Sequence, residues 1–187
     1  MELTGLHNIP APQAVVWQML NDPDILRQCI PGCESLLGSE TEGFSAKVRI
    51  AIGPVKANFS GKVSLSNLNP PLSYTITGEG NGGVAGFASG EADVQLEKTS
   101  ENGTILTYIV KARVGGKLAQ LGSRLVEGTA RKLASEFFNK FASLAAEKSA
   151  QPVVGETSTA LLPNNKTKLW VIGATIVGAI ALIQLMS

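Results

Sequence analysis

The chain has 187 residues, 44% hydrophobic but only 5% aromatic, which predicts one domain with extra segments and a core of Val, Ile, Leu and Ala. A formal net charge of +1 supplies no basic field of the kind that nucleic-acid binding relies on. Two cysteines, Cys29 and Cys33, with a single histidine, His7, fall short of a metal-ligand set and read as reduced cytosolic thiols.

The N-terminus MELTGLHNIPAP has no apolar h-region, so a secretory signal is not expected. ELTGLHNI is predicted to be a short first strand, ended by Pro10 and Pro12. In PQAVVWQML, residues Val15, Val16, Met19 and Leu20 fall at helical spacing. A second helix is predicted for DPDILRQCI, with Asp22 as N-cap and Pro23 at the first helical position. After the turn PGC the period changes to two. Phe44, Ala46, Val48, Ile50 and Ile52 alternate with smaller or charged residues, as do Val55 to Leu65, Leu72 to Ile76 and Leu106 to Val114. These are predicted to be antiparallel strands with one wet face, joined by Gly53-Pro54, Asn69-Pro70-Pro71 and Asn102-Gly103.

Within the strands lies GEGNGGVAGFASGEADV, where Gly78, Gly80 and Gly83 satisfy GxGxxG. A dinucleotide fingerprint must open a helix after a parallel strand. Here EADVQLEKT follows, itself alternating at Ala92, Val94 and Leu96, so the nucleotide reading fails. The GGK at Gly115 to Lys117 precedes a helix, but Leu118 stands where a P-loop needs Ser or Thr. The glycines are instead expected to bend paired strands and to make room for a ligand or a helix.

From about Gly116 to Glu147 one long amphipathic helix is predicted, with Leu118, Leu121, Leu125, Leu133, Phe137, Phe141 and Leu144 near one stripe. Glu127–Arg131 and Glu136–Lys140 are expected i,i+4 pairs. Lys117, Arg124 and Arg131 repeat every seven residues as a basic stripe, which an anionic membrane or an acidic partner would meet if it is more than a solvated face. Residues 149–167 have linker composition. LWVIGATIVGAIALIQLM, Leu169 to Met186, is charge-free and as a helix would reach about 27 Å, a membrane-spanning length. With Lys166 and Lys168 before it and Trp170 at its entrance, it predicts a single-pass anchor over 168–187 that holds domain 1–148 at the cytoplasmic face.

No reaction centre assembles from these residues. His7 is expected to satisfy a local hydrogen bond, and Glu79, Glu91 and Asp93 share the polar face of the strands. Phe44, Val48, Phe59, Tyr74, Ile76, Leu106, Tyr108 and Val110 have the other parity and are expected to face Leu118, Leu121, Leu125, Leu133 and Phe137 of the helix. Phe87 is the one large side chain at the glycine bend and is expected at the rim of the space between them.

Four segments, IPGCESL, GPVKANFSGKVSL, PPLSYTITGEGNGGVAGFASGEADVQL and VGGKLAQLGSRLVEGTARKLASEFFNKF, resemble the carbon monoxide dehydrogenase G-subunit family of the START-like, helix-grip superfamily. The resemblance covers nearly all of residues 1–148. It implies an α+β helix-grip fold, a curved antiparallel sheet around a long C-terminal helix with an apolar cavity between them. It further implies an accessory protein that is not itself the enzyme, coupling a molybdenum hydroxylase-type dehydrogenase to the membrane. A membrane-tethered cavity of this kind implies a bound quinone, menaquinone or ubiquinone, held by Phe44, Val48, Phe59, Tyr74, Ile76, Phe87, Leu106, Tyr108, Leu121, Leu125 and Phe137. Two other readings stand beside it: a helix-grip enzyme acting on a hydrophobic molecule, and a tether without ligand.

Overall fold

A computed structural model of the chain describes residues 1–150. The first strand, β1 (Glu2–Ile9), gives way to two short helices, α1 (Gln13–Leu20) and α2 (Pro23–Cys29). The Asp22 carboxylate accepts from the backbone N–H of Asp24 at 2.9 Å and of Ile25 at 3.3 Å, and Pro23 occupies the first turn, where its missing N–H costs nothing. Six strands follow: β2 (Cys33–Ser39), β3 (Gly43–Ile52), β4 (Val55–Asn69), β5 (Ser73–Asn81), β6 (Phe87–Lys98) and β7 (Thr104–Gly115). All neighbours pair antiparallel in the order β1-β7-β6-β5-β4-β3-β2, so the chain meanders except for its first strand, which lies beside the last.

The period-two alternation decides the two faces. Register places Phe44 opposite Val63, Leu65 opposite Ile76, Tyr74 opposite Val94, and Val94 opposite Tyr108, all on one inner face. Glu79, Glu91 and Asp93 stand on the outer face, as their parity predicts.

The expected single C-terminal helix is two. A short helix, α3 (Lys117–Gln120), ends at Leu121, and α4 (Ser123–Ala150) starts beyond Gly122. Gly122 has φ +85°, a left-handed conformation that a helix cannot contain and that glycine adopts at no steric cost. The break puts Lys117 on a different helix from Arg124 and Arg131, so they do not form one helical stripe. The expected pairs Glu127–Arg131 and Glu136–Lys140 are also replaced: α4 carries Lys132–Glu136 at 3.8 Å. That pair is exposed and contributes little, because water and side-chain entropy offset it.

The core sits where α1, α2 and the second half of α4 meet the inner face. Ile9, Val16, Met19, Leu106 and Phe141 are all 2% exposed or less and pack with Trp17, Tyr74 and Leu96. Two buried polar groups fasten α1 to the sheet: Gln13 Nε2 donates to the Leu96 carbonyl at 2.7 Å, and Thr104 Oγ1 donates to the Ala11 carbonyl at 2.7 Å. Satisfied in this way, they cost little to bury. No helix of the described residues is long and apolar enough to cross a membrane. The anchor expected at 168–187, with Lys166, Lys168 and Trp170, and the linker before it from residue 151 lie outside the described residues.

Candidate functional site

The inner face changes character along its length. Near α1 and α2 it is sealed. Toward the β3–β4 turn (Gly53-Pro54) the inner residues Val48, Ile50, Ala57, Phe59 and Val63 are only half-buried. At Phe44–Ile52, Val55–Leu65, Tyr74–Gly80 and Ala88–Leu96 every inner position is uncharged. The first half of α4 lies along this region, with Val126 buried and the Leu125 side chain against Gly53. The result is an apolar groove between sheet and helix, open at the end away from the core.

The glycine stretch forms the floor of that groove. Gly61 pairs with Gly80, and Gly80 with Ala88; in the next row Val63 pairs with Gly78, Gly78 with Gly90, and Gly90 with Ala112. Two adjacent rows of small residues thus cross several strands on the inner face. A Cβ added at Gly80 would meet nothing within 4 Å. Space is therefore left above Gly80, whereas a Cβ at Gly78 would press on Val63 at 2.9 Å and one at Gly90 on the Lys111 carbonyl at 2.6 Å, so those two glycines serve close strand packing. Neither Gly78 nor Gly80 leads into a helix: Gly83 begins a single 3-10 turn, Gly83–Ala85, and β6 follows directly.

At the inner end of the groove, aromatic rings stack. His7 lies 3.9 Å from Phe138 centroid to centroid, and Tyr108 stacks on the same Phe138 at 5.6 Å. Tyr108 also covers Gly5, where a Cβ would overlap its ring. In place of the local hydrogen bond expected of it, the His7 ring stacks on Phe138 with Tyr108 at 5.9 Å, and burial lowers its pKa because the charged imidazolium loses hydration. Phe137 stands edge-on to Phe138 and stacked toward Phe141. Burial, and then the Glu40 charge, push the Tyr74 phenol well above its ordinary pKa, while its ring meets Trp17 edge-on at 5.3 Å. Such groups stay neutral near pH 7 and suit an apolar guest.

The predicted site residues divide into three groups. Tyr74 and Leu106 belong to the sealed core, at 5% and 1% exposure, and Phe44 is also buried on the inner face. Val48 and Phe59 line the sheet side of the groove and Ile76 packs against the edge of the core; Leu125 flanks the open end, half-buried Leu121 caps α3, and Tyr108 and Phe137 close the inner end. Phe87 is misplaced by the sequence reading. It pairs with Asn81 and Gly115 on the outer face, lies over Gly115 and is 54% exposed, so it is not a rim residue of the inner groove. The reading also missed Phe138, although it lies three residues before the stripe residue Phe141 and so on nearly the same helix face.

Two concavities, of about 1170 and 640 Å³, lie on the outer face. Exposed Lys62, Glu79, Glu91, Lys111 and Arg113 line the first, and Lys62 faces Glu79 while Glu91 faces Lys111 across the strands. Opposite charges in register stabilise a hydrated sheet face. The charged lining of the first does not suit a hydrophobic ligand, and the second sets exposed Leu37 and Phe87 among Lys47, Lys62 and Glu79, so the uncharged inner groove is the better candidate. Among the described residues no group of three or more His, Cys, Asp or Glu could hold a metal ion.

The family model for the G subunit of carbon monoxide dehydrogenase (CoxG) matches residues 5–146, which spans every element from β1 through most of α4. The chain belongs to the CoxG family. No curated protein matches it. A conserved protein from Geobacillus kaustophilus, known by crystal structure, is 34% identical to this CoxG chain, with a TM-score of 0.73 over 79% of this chain and 97% of the other. Two further structures share the fold alone. Protein CV1439 from Chromobacterium violaceum is 14% identical with a TM-score of 0.57, covering 78% of this chain and 97% of its own. Protein Ms6760 from Mycobacterium smegmatis is 17% identical with a TM-score of 0.57, covering 76% of this chain and 89% of its own. All three structures thus share the α+β architecture of this CoxG chain, a curved antiparallel sheet with a long C-terminal helix.

Proposed function

We propose that this CoxG chain is a non-catalytic accessory protein of a molybdenum hydroxylase-type dehydrogenase, such as carbon monoxide dehydrogenase. In this reading it holds a hydrophobic ligand, a quinone such as menaquinone or ubiquinone, in the inner groove and works at the membrane. The observation that carries the ligand half is the contrast along one sheet face. The same uncharged parity that packs Leu106 and Tyr74 into the core continues past it, where Val48, Phe59 and Val63 stay half-buried beside the inner-face glycines. Leaving that much apolar surface open costs stability at roughly 25 cal/mol per Å². A guest that covers it recovers the loss. Family membership supports the dehydrogenase partner.

The flat rings at the inner end favour a planar headgroup, since Phe138 and Tyr108 offer faces for offset stacking. The test is ligand capture. Native mass spectrometry of the purified chain after exposure to menaquinone should show one bound quinone, and Gly80→Phe should abolish it while the fold survives. The substitution is tolerable because the position has open space and an ordinary strand conformation. A wild-type chain that stays empty, or a Gly80→Phe chain that binds equally, would sink the proposal.

A further inference from the structure

The sheet meanders, so every second turn lies at the same end. At one end stand the β3–β4 turn, the β5–β6 turn and the β7–α4 connection, with Gly86 against Gly115 and Gly116 and with Leu125 against Gly53. Segments 49–56, 80–88 and 113–126 lie at this end and carry Arg49, Lys56, Arg113, Lys117 and Arg124, five exposed cations; exposed Glu34 of β2 is the carboxylate beside them, two residues from Gly32, whose carbonyl accepts from the Arg49 N–H. Half-buried Glu127 lies just beyond. At the opposite end, the turn segments 39–43, 69–72 and 97–103 carry Glu40, Glu42, Glu97 and Glu101 against Lys98 alone. A formal net charge of +1 therefore conceals a molecule with opposite signs at its two ends. The cationic end also presents its apolar side chains to solvent: Val84 is 86% exposed at the tip of the β5–β6 turn, and Leu125 is 40% exposed at the start of α4.

We propose that this end docks directly on an anionic lipid surface, with Val84 entering the headgroup layer and Lys117 and Arg124 meeting lipid phosphates. The contact is independent of any C-terminal anchor. It rests on the reading that the protein works at a membrane, but not on what fills the groove. An acidic protein would satisfy the cations and leave the aliphatic tip without purpose; a bilayer satisfies both, since apolar side chains flanked by cations are what interfacial binding uses. The groove opens toward this end, so docking would point its mouth at the lipid.

The test uses residues 1–150, which contain the whole core and which a solved relative, 97% covered by this chain, carries as its entire fold. Co-sedimentation is measured with vesicles of phosphatidylcholine alone and with added phosphatidylglycerol. The fragment should bind the anionic vesicles and lose binding at high salt. Each cation near an anionic surface is worth about a fivefold change in partition, so Lys117→Glu with Arg124→Glu should weaken it by at least about 25-fold. Val84→Asp should weaken it about tenfold or more, and Leu72→Asp, an exposed apolar site at the opposite end, should not. These sites are on the surface, and circular dichroism checks that the variants fold. No binding to anionic vesicles, indifference to Val84→Asp, or equal loss with Leu72→Asp would overturn the proposal. Indifference to Val84→Asp with full dependence on the cations would assign this end to an acidic protein instead. Menaquinone uptake from detergent solution is measured on the same samples. Its failure counts against the ligand reading alone.

Discussion

Gly122 and Gly128 both interrupt the C-terminal helical pattern, and the structure gives substitutions at them opposite signs. Neither has a neighbour within 4 Å of an added Cβ, so contacts cannot distinguish them. Backbone does. Gly128 lies inside α4, two residues past buried Val126 and therefore on the opposite side of the helix, exposed. Its φ is not positive, so alanine there removes unfolded-state freedom and improves helix propensity by about 1 kcal/mol. Gly122 has φ +85°, and a Cβ forced into that conformation costs roughly 1–2 kcal/mol. For a domain of about 150 residues, 1 kcal/mol corresponds to roughly 3 °C in Tm. Gly128→Ala should therefore raise Tm by about 3 °C and Gly122→Ala should lower it by about 3–6 °C. Urea unfolding of each variant provides the check, with an unchanged m-value showing that the same surface is exposed. If Gly128→Ala destabilises, or if both variants move in the same direction, the separation of roles is wrong and something packs on the outer side of α4. An unaltered quinone uptake in Gly128→Ala is also expected, because the position faces away from the groove.

Phe141→Ala removes a ring with no exposure at the centre of the core and should cost about 3–5 kcal/mol, measured by urea denaturation. His7 gives a pH signature. Its folded pKa lies below the ordinary 6.5, so above pH 6.5 the ring is neutral in both states and its stacking contributes fully. As pH falls below 6.5 the unfolded chain takes up the proton first, and stability declines until the folded pKa is passed; His7→Phe should flatten that slope in thermal melts across this window. Cys29 is buried and its thiol is pushed up to about 11 by desolvation, only partly opposed by Lys140. Alkylation by iodoacetamide near pH 8 should consume half-buried Cys33 well before Cys29, as read by mass spectrometry of time points.

Periodicity made most of the fold legible. Strand parity alone assigned Phe44, Val48, Tyr74, Ile76, Leu106 and Tyr108 to one face, because a period of two leaves no choice once one member is buried. Phe87 went astray for want of the same rule: counting back in twos from Val94 through Ala92 puts Gly90 and Ala88 inside and Phe87 outside. A glycine-rich bend obscures that count, since its residues carry no side chain to reveal their face. The helix break at Gly122 was visible as a glycine but not as a break. Glycine is tolerated within helices, and only the backbone angle separates Gly122 from Gly128. The stacked set His7, Tyr108 and Phe138 joins three distant elements, a relation that local pattern does not carry.

The pairing of the first strand with the last has a consequence for the order of assembly. Glu2 meets Lys111 and Ile9 meets Thr104, so β1 has no partner until nearly three-quarters of residues 1–150 have been synthesised. The buried anchors of α1 are just as remote: Gln13 waits for Leu96, and Ala11 for Thr104. Strands β2 to β6 can add hairpin by hairpin as they emerge, whereas the N-terminal segment must stay unpaired and then close the sheet edge together with α4. Loop closure of this span comes before the contacts that reward it, which places the domain among slow-folding topologies. On a ribosome, the first twenty residues of this chain are the last to find their place.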